Sequence, residues 1–262
     1  HADGTVYQEG IFENDKFLSA RKTSPTVTAK KRPHSDNEKT IPAASGTGFA
    51  VSTSGHVVTN YHVIEGCSDV KIHHKGNVIP STVVTHDPIN DLALLKGNFR
   101  PGSIFTLSRK NPRLMQEIFV AGYPFGNKIN TSVKVTKGIV SSLTGIGNNI
   151  SNIQIDAALQ PGNSGGPIFN GEGNVVAVAV AKLDLKTVVK KWGVIPENTN
   201  FGIKSNVVVN LLESNNVDLE EPRSSTISKI GLGKIISDAT YYLSCWMTTA
   251  QIEKMKSKKT IF

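Results

Sequence analysis

The chain lacks any long hydrophobic stretch: its longest uninterrupted apolar run is Val175-Val176-Ala177-Val178-Ala179-Val180-Ala181. A membrane-crossing helix needs about 20 such residues, so no segment is expected to span a bilayer. Cysteine is scarce as well. Cys67 and Cys245 are the only two in 262 residues, and neither has the spacing of a metal-ligand set, so no metal site is expected. No aromatic-interleaved platform or finger accompanies the basic residues, which leaves the net charge of +8 weak support for nucleic-acid binding. The chain begins His-Ala-Asp, without Met or a signal sequence. It reads as processed or truncated, and its targeting has to be argued indirectly.

What the chain does have is enough length for one large all-β domain or two small ones. Residues 1–42 mix charge, Pro, Ser and Thr, including Arg21-Lys22 and Lys30-Lys31-Arg32-Pro33-His34, with no sustained period. They read as an arm or linker. Tyr7, Ile11, Phe12, Phe17 and Leu18 give it apolar side chains with which to dock on the rest of the chain or on another subunit.

The most informative residues are Gly162-Asn163-Ser164-Gly165-Gly166-Pro167. Five fixed residues of G-x-S-G-G-P match by chance at roughly one position in 10⁶. A serine that attacks an amide creates an oxyanion, and backbone N–H groups bind it only where the chain bends tightly around the nucleophile. Gly162 and Ser164 are the expected donors of that oxyanion hole. Serine also needs a base to take its proton, and the base needs an acidic group to hold its tautomer. Gly55-His56-Val57-Val58-Thr59-Asn60-Tyr61-His62 alternates and then presents His62 at the end of an expected strand. Asp91 opens the apolar run Asp91-Leu92-Ala93-Leu94-Leu95-Lys96, and an acid entering a core needs a partner. The competing view of Asp91 is a cap on the turn Asp87-Pro88-Ile89-Asn90. For the base, His56, His73, His74 and His86 compete with His62.

T-N-Y-H-V-I, D-L-A-L-L-K and G-N-S-G-G-P, in that order, resemble the trypsin-like serine peptidases of the HtrA (Deg) type, over Ala43 to Asn215. The order His, Asp, Ser is that of chymotrypsin-fold enzymes and differs from subtilisins and α/β-hydrolases. The resemblance implies an all-β fold of two packed six-stranded antiparallel barrels, with His62 and Asp91 from the first barrel and Ser164 from the second. Residues 1–42 would be the arm, 43–215 the protease domain, and 216–262 a C-terminal extension packed on it. Ala158, six residues before Ser164, would form the base of the primary specificity pocket and supplies no counter-charge for Lys or Arg. Leu159 would narrow that pocket, and Phe201-Gly202-Ile203 would line its other wall, with Gly202 admitting the substrate backbone. Asn163, being neutral, cannot pair with a newly cut N-terminus, so control by ordering of the loops 126–132, 144–152 and 183–200 is expected instead.

After the second barrel, Ser205-Asn206-Val207-Val208-Val209-Asn210-Leu211-Leu212 is expected to start a helix capped by Ser205. A PDZ domain of the usual HtrA kind needs more residues than remain, so a stand-alone protease domain is expected. The tail reads as a strand over 239–246 and a short basic helix over 249–258 that opens with a Thr248-x-x-Gln251 capping box. The extension from Lys182 to Phe201 and the Cys245-Trp246 pair also resemble stand-alone secreted bacterial proteases. Cys67 and Cys245 are either two inert buried thiols or a disulfide. The resemblance to exported proteases favours the bond, which would pin the tail to the first barrel, so that reduction loosens the tail before the barrels melt.

The expected function is therefore a cofactor-independent serine endopeptidase, periplasmic or secreted, acting on unfolded or flexible polypeptides through an acyl-enzyme. Two other functions compete with it. One is a catalytically silent peptide-binding protein of the same fold, and the other is nucleic-acid binding through the basic arm.

Overall fold

The computed structural model describes residues 10–13, 16–20, 39–126, 132–181 and 199–259, with only the backbone of 10–13, 16–20 and 258–259. The chain divides into two units, His1–Glu38 and Lys39–Phe262. In the first, β1 (Gly10–Glu13) and β2 (Lys16–Ala20) pair antiparallel, with Phe12 opposite Phe17. Tyr7 and the basic clusters of the expected arm lie outside the described residues.

The second unit holds two barrels. Strands β3 (Ile41–Ala50), β4 (His56–Thr59), β5 (Asp69–His74), β6 (Asn77–Asp87) and β7 (Leu92–Gly97) run through the first. A two-residue strand, β8 (Thr106–Leu107), leads to β9 (Glu117–Gly122), β10 (Lys134–Ser142), β11 (Asn152–Ile155), β12 (Pro167–Phe169), β13 (Asn174–Val180) and β14 (Asn200–Lys204). Strands β9 to β14 form the second barrel in the order β12-β9-β10-β11-β14-β13, closed by the antiparallel β12–β13 pairing. The short β8 joins its outer side, parallel to β13. The expected pair of six-stranded antiparallel barrels is present.

The sixth strand of the first barrel comes from the far end of the chain. This is β15 (Thr240–Met247), which sits between β3 and β5 and closes the order β15-β3-β4-β7-β6-β5. The division at residue 215 is therefore corrected: part of residues 216–262 does not pack on the barrel but is one of its strands. The β-branched and aromatic residues Thr240, Tyr241, Tyr242 and Trp246 suit a strand. Nothing local in it announces which strands it pairs with.

The apolar run at 175–181 is explained by burial on both faces of β13. Val175 and Val178 belong to the cluster that fills the first barrel and the ground between the barrels, whereas Val176, Ala177 and Ala179 belong to the cluster inside the second. A strand buried on both faces needs no polar alternation. Helix Ser205–Glu213 forms where expected, but Ser205 is its first helical residue and not its cap: the hydroxyl donates to the Ser108 carbonyl at 2.7 Å. A further helix, Lys229–Ala239, was not expected because two glycines weaken it; Ser228 caps it by accepting from the Gly231 N–H at 3.1 Å. The last helix, Thr249–Lys259, carries the expected capping box, with Thr248 N–H donating to Gln251 Oε1 at 2.7 Å and Gln251 N–H to Thr248 Oγ1 at 3.2 Å. Among the described residues no helix is long and apolar enough to cross a membrane.

Candidate active site

His62, expected at the end of a strand, lies instead on the single helical turn Tyr61–Ile64, three residues beyond Thr59, the last residue of β4. Asp91 precedes β7 with φ of 55°, a left-handed conformation that Asp tolerates better than most residues. That turn aims its carboxylate at the helix. Asp91 Oδ2 lies 2.6 Å from His62 Nδ1, and Oδ1 accepts the His62 backbone N–H at 2.9 Å. The Asp91 carbonyl accepts in turn from Tyr61 N–H at 3.1 Å and Asn60 Nδ2 at 2.9 Å. Imidazole and backbone of one histidine are thus gripped by one aspartate, which leaves Nε2 as the ring nitrogen open to chemistry.

The turn that Asp91 might have capped is held by another residue. Asp87 accepts from Ile89 N–H, Asn90 N–H and Asn90 Nδ2. Burial works against its charge, yet these bonds outweigh it and hold its carboxyl below the ordinary range. The competing histidines also have other occupations. His56 meets Ser52 and Ser54, His73 meets Ser244, and His86 stacks on Tyr61 with centroids 5.0 Å apart.

Ser164 is buried at 4% exposure, at the start of a backbone folded against the helix that carries His62. A Cβ on Gly165 (φ +83°) would stand 2.2 Å from the Thr47 carbonyl oxygen and 2.9 Å from Asn60 N, so only glycine allows this approach. Before Ser164, Gln160-Pro161-Gly162-Asn163 forms a turn with Asn163 N–H on the Gln160 carbonyl at 2.9 Å and Gly162 at φ +102°. Proline second and a positive-φ glycine third make this a type II turn. The Pro161 carbonyl accepts from Phe125 N–H at 2.6 Å, so the N–H of Gly162, on the opposite side of that planar peptide, faces away from Phe125. Among the described residues the N–H groups of Gly162 and Ser164 have no protein acceptor. Ser164 Oγ accepts from Ala181 N–H at 3.1 Å, and no hydrogen bond joins it to His62.

The expected pocket residues separate. Ala158 is exposed and Leu159 is buried in the interior cluster of the second barrel. Gly202 faces inward: a Cβ there would lie 2.5 Å from Ile168 Cδ1 and 3.0 Å from the Ala177 Cβ. Its missing side chain serves barrel packing rather than the approach of a substrate. Phe201 and Ile203 alternate with it on β14 and face the other side, Ile203 packing into the first cluster. Of the three loops, residues 127–131 and 182–198 lie outside the described residues, including Lys186, Lys190, Lys191 and Trp192. The loop 144–152 contains a short turn, Ile146–Asn148, with Ile146 and Ile150 exposed. Among the described residues no three His, Cys, Asp or Glu side chains gather as a metal site.

Cys67 and Cys245 form a disulfide with Cα atoms 5.4 Å apart. It joins the residues just after the His62 helix to β15. One residue of the site carried no signal in its own identity. Thr47, fully buried on β3, hydrogen-bonds with Gly162, Ser164, Thr59 and Tyr123. Its flanking glycines, Gly46 and Gly48, were the only mark of it.

With this geometry in place, comparison with known proteins is direct. The trypsin-like peptidase domain family matches residues 46–178. The probable periplasmic serine endoprotease DegP-like of Chlamydia trachomatis is 33% identical over 179 residues, 67% of this chain and 35% of that protein. The serine protease Do-like HtrA of Lactococcus lactis is 32% identical over 191 residues, 67% of this chain and 46% of that protein. An uncharacterised protein of Sinorhizobium fredii, y4bJ, is 41% identical over 168 residues, 64% of this chain and 26% of its own length. The chain thus spans a quarter to a half of the length of these relatives. Among solved structures, the serine endoprotease from Yersinia pestis superposes with a TM-score of 0.52 at 25% identity, covering 71% of this chain and 68% of the other. The HtrA-type protease AlgW with decapeptide gives 0.55 at 28% identity, covering 65% and 51%. In sequence, barrel architecture and motif order, the chain belongs to the trypsin-like peptidase domain family, of HtrA type.

Proposed function

We propose that the chain is a serine endopeptidase that cleaves unfolded or flexible polypeptides outside the bacterial cytoplasm. The observation that carries this reading is the double grip of Asp91 on His62, which engages Nδ1 and the backbone N–H and leaves Nε2 for proton transfer; the N–H groups of Gly162 and Ser164, without a protein acceptor among the described residues, support it. Ser164 Oγ attacks the scissile carbonyl carbon as its proton passes to His62 Nε2, and Asp91 stabilises the imidazolium. The N–H groups of Gly162 and Ser164 receive the oxyanion. Collapse expels the amine, protonated by His62, and leaves an acyl-enzyme. Water then attacks the ester with His62 again as base, restoring Ser164. No cofactor enters the cycle. The decapeptide in the AlgW structure and the kinship to DegP-like proteins described as probable periplasmic serine endoproteases support a polypeptide substrate and an exported location. Ala158 offers no counter-charge, so small or medium apolar side chains should precede the cut.

One observation favours the second reading, a silent peptide-binding protein: Ser164 Oγ is engaged by Ala181 N–H and not by His62. A catalytic cycle needs that bond exchanged for one to Nε2. Such realignment on substrate binding is ordinary, since catalytic hydrogen bonds are often loose in a free enzyme. Casein digestion followed by mass spectrometry, with a fluorophosphonate probe alongside, separates the two readings. Wild type should be labelled at Ser164 and should cut after Val, Ala, Ile or Leu, and Ser164→Ala should do neither. An unlabelled, inert wild type refutes the peptidase, and dominant cuts after Lys or Arg refute the pocket.

A further inference from the structure

Resting on the peptidase reading, we infer that Thr47 is a positioning residue for the oxyanion hole. Its side chain and backbone hold in place the two residues whose N–H groups stabilise the transition state. Thr47 is fully buried on β3 of the first barrel, whereas Gly162 and Ser164 belong to the second. Its N–H donates to the Ser164 carbonyl at 2.9 Å, and its hydroxyl donates to the Gly162 carbonyl at 2.7 Å. One residue of the neighbouring barrel therefore grips the carbonyls of residues 162 and 164.

The direction of each bond follows from the donor inventory. Tyr123 N–H donates to Thr47 Oγ1 at 3.0 Å. A backbone N–H cannot accept, so the single hydroxyl proton of Thr47 goes to the Gly162 carbonyl. The Thr47 carbonyl is occupied too, by Thr59 Oγ1 at 2.7 Å, and its methyl lies 3.3 Å from where a Cβ on Gly166 would stand. Rotamer and backbone are locked from every side.

Gly162 needs such outside support. With φ of +102° and no side chain, it sits where its peptide planes turn at little steric cost. The Pro161–Gly162 plane is pinned by Phe125 N–H on the Pro161 carbonyl, and the Gly162–Asn163 plane is pinned by Thr47. Both torsions of Gly162 are then determined, and its N–H points in one direction. Removing the hydroxyl orphans a carbonyl and an N–H in a buried place, and the cheapest way to satisfy that carbonyl is to turn the peptide. The hydroxyl touches neither substrate nor reacting atoms, so its effect should appear in the transition state and not in ground-state binding.

The test measures kcat and KM on a fluorogenic peptide, and the affinity of a peptide boronic acid, which becomes a tetrahedral anion on Ser164. Thr47→Val keeps the shape and removes the hydroxyl. It should lower kcat about 10²-fold, within the range for loss of one oxyanion donor, and leave KM within about threefold. Boronate affinity should fall in the same ratio as kcat/KM. Thr47→Ser, which keeps the hydroxyl, should recover most of kcat. If Thr47→Val is insoluble, Thr47→Cys, a weaker and longer donor, should show an intermediate loss of kcat at unchanged KM. Wild-type kcat in folded Thr47→Val, a loss confined to KM, unchanged boronate affinity, or Thr47→Ser as impaired as Thr47→Val each overturn the inference. An inert wild type overturns the peptidase reading as well, whereas an active wild type with unaffected variants overturns this inference alone.

Discussion

At residue scale the histidines outside the active site give the first prediction. His73 on β5 is half-buried with Nε2 2.7 Å from Ser244 Oγ on β15, and Trp246 Nε1 donates to the same hydroxyl at 2.9 Å. That arrangement suits a neutral ring, which accepts the serine proton. Burial, and after it the Lys71 charge, holds the pKa of His73 below its ordinary 6.5. Burial does the same to His74, aided by Lys75 and opposed by Asp238, and to His56, aided by Lys96. A group whose pKa is lower folded than unfolded binds more protons unfolded. Its stabilising contribution is complete above about 6.5 and is lost as pH falls through the folded pKa. The melting temperature should therefore drop between pH 7.5 and pH 5. NMR titration of the ring protons should place His73 below 6.5; a midpoint at or above that value would contradict the account.

At the scale of elements, β15 changes what the disulfide does. Thr240–Met247 pairs with β3 along its whole length and with β5 from Tyr242 to Trp246. Cys245 stands between Ala44 and Val70 while bonded to Cys67, 178 residues away in sequence. Tyr123, kept protonated because burial raises its pKa, donates from the second barrel to the Thr240 carbonyl at 3.2 Å. A tail merely packed on the barrel would detach first on reduction. A strand hydrogen-bonded on both edges leaves only when the barrel opens. Closing so long a loop is worth at most about 5 kcal/mol in the chain-entropy model, so Cys67→Ser with Cys245→Ser should fold and melt earlier in one transition. Trp246 fluorescence in a Trp192→Phe background should change together with far-ultraviolet circular dichroism. A separate, earlier Trp246 transition would restore the detachable tail.

For the whole molecule, the first barrel and its core depend on both ends of the unit that begins at Lys39. The core cluster joins Phe49, Val57 and Leu94 to Leu232, Ile236, Tyr241 and Leu243. A chain ended at residue 215 would lack β15, exposing the facing edges of β3 and β5 and a strip of apolar interior. Such a truncation should show no cooperative melting and should be digested rapidly by an added protease, despite retaining His62, Asp91 and Ser164. A soluble, sharply melting 39–215 fragment would show that the sixth strand is dispensable.

The features legible in the amino-acid sequence were those decided within a few residues. Pro161 and Gly162 suit the type II turn before Ser164, and Thr248 and Gln251 satisfy each other's N–H groups. Steric φ/ψ limits and short-range hydrogen bonds govern both. The order of His62, Asp91 and Ser164 was also legible, but their spatial relation was not read from spacing. Asp91 reaches His62 across 29 residues only because β4 pairs with β7. Gly202 looked like an opening for substrate, since nothing in N-F-G-I says which face of β14 turns inward. Lys229–Ala239 was hidden by its glycines, whose low helix propensity is outweighed by burial of Leu232 and Ile236. The role of Thr47 and the partners of β15, whose existence as a strand was expected, were beyond sequence reasoning for one physical cause. Pairing between residues far apart along the chain leaves no periodic or compositional trace, and only the closed barrel selects, among many possible partners, β3 and β5 for β15 and Gly162 for Thr47.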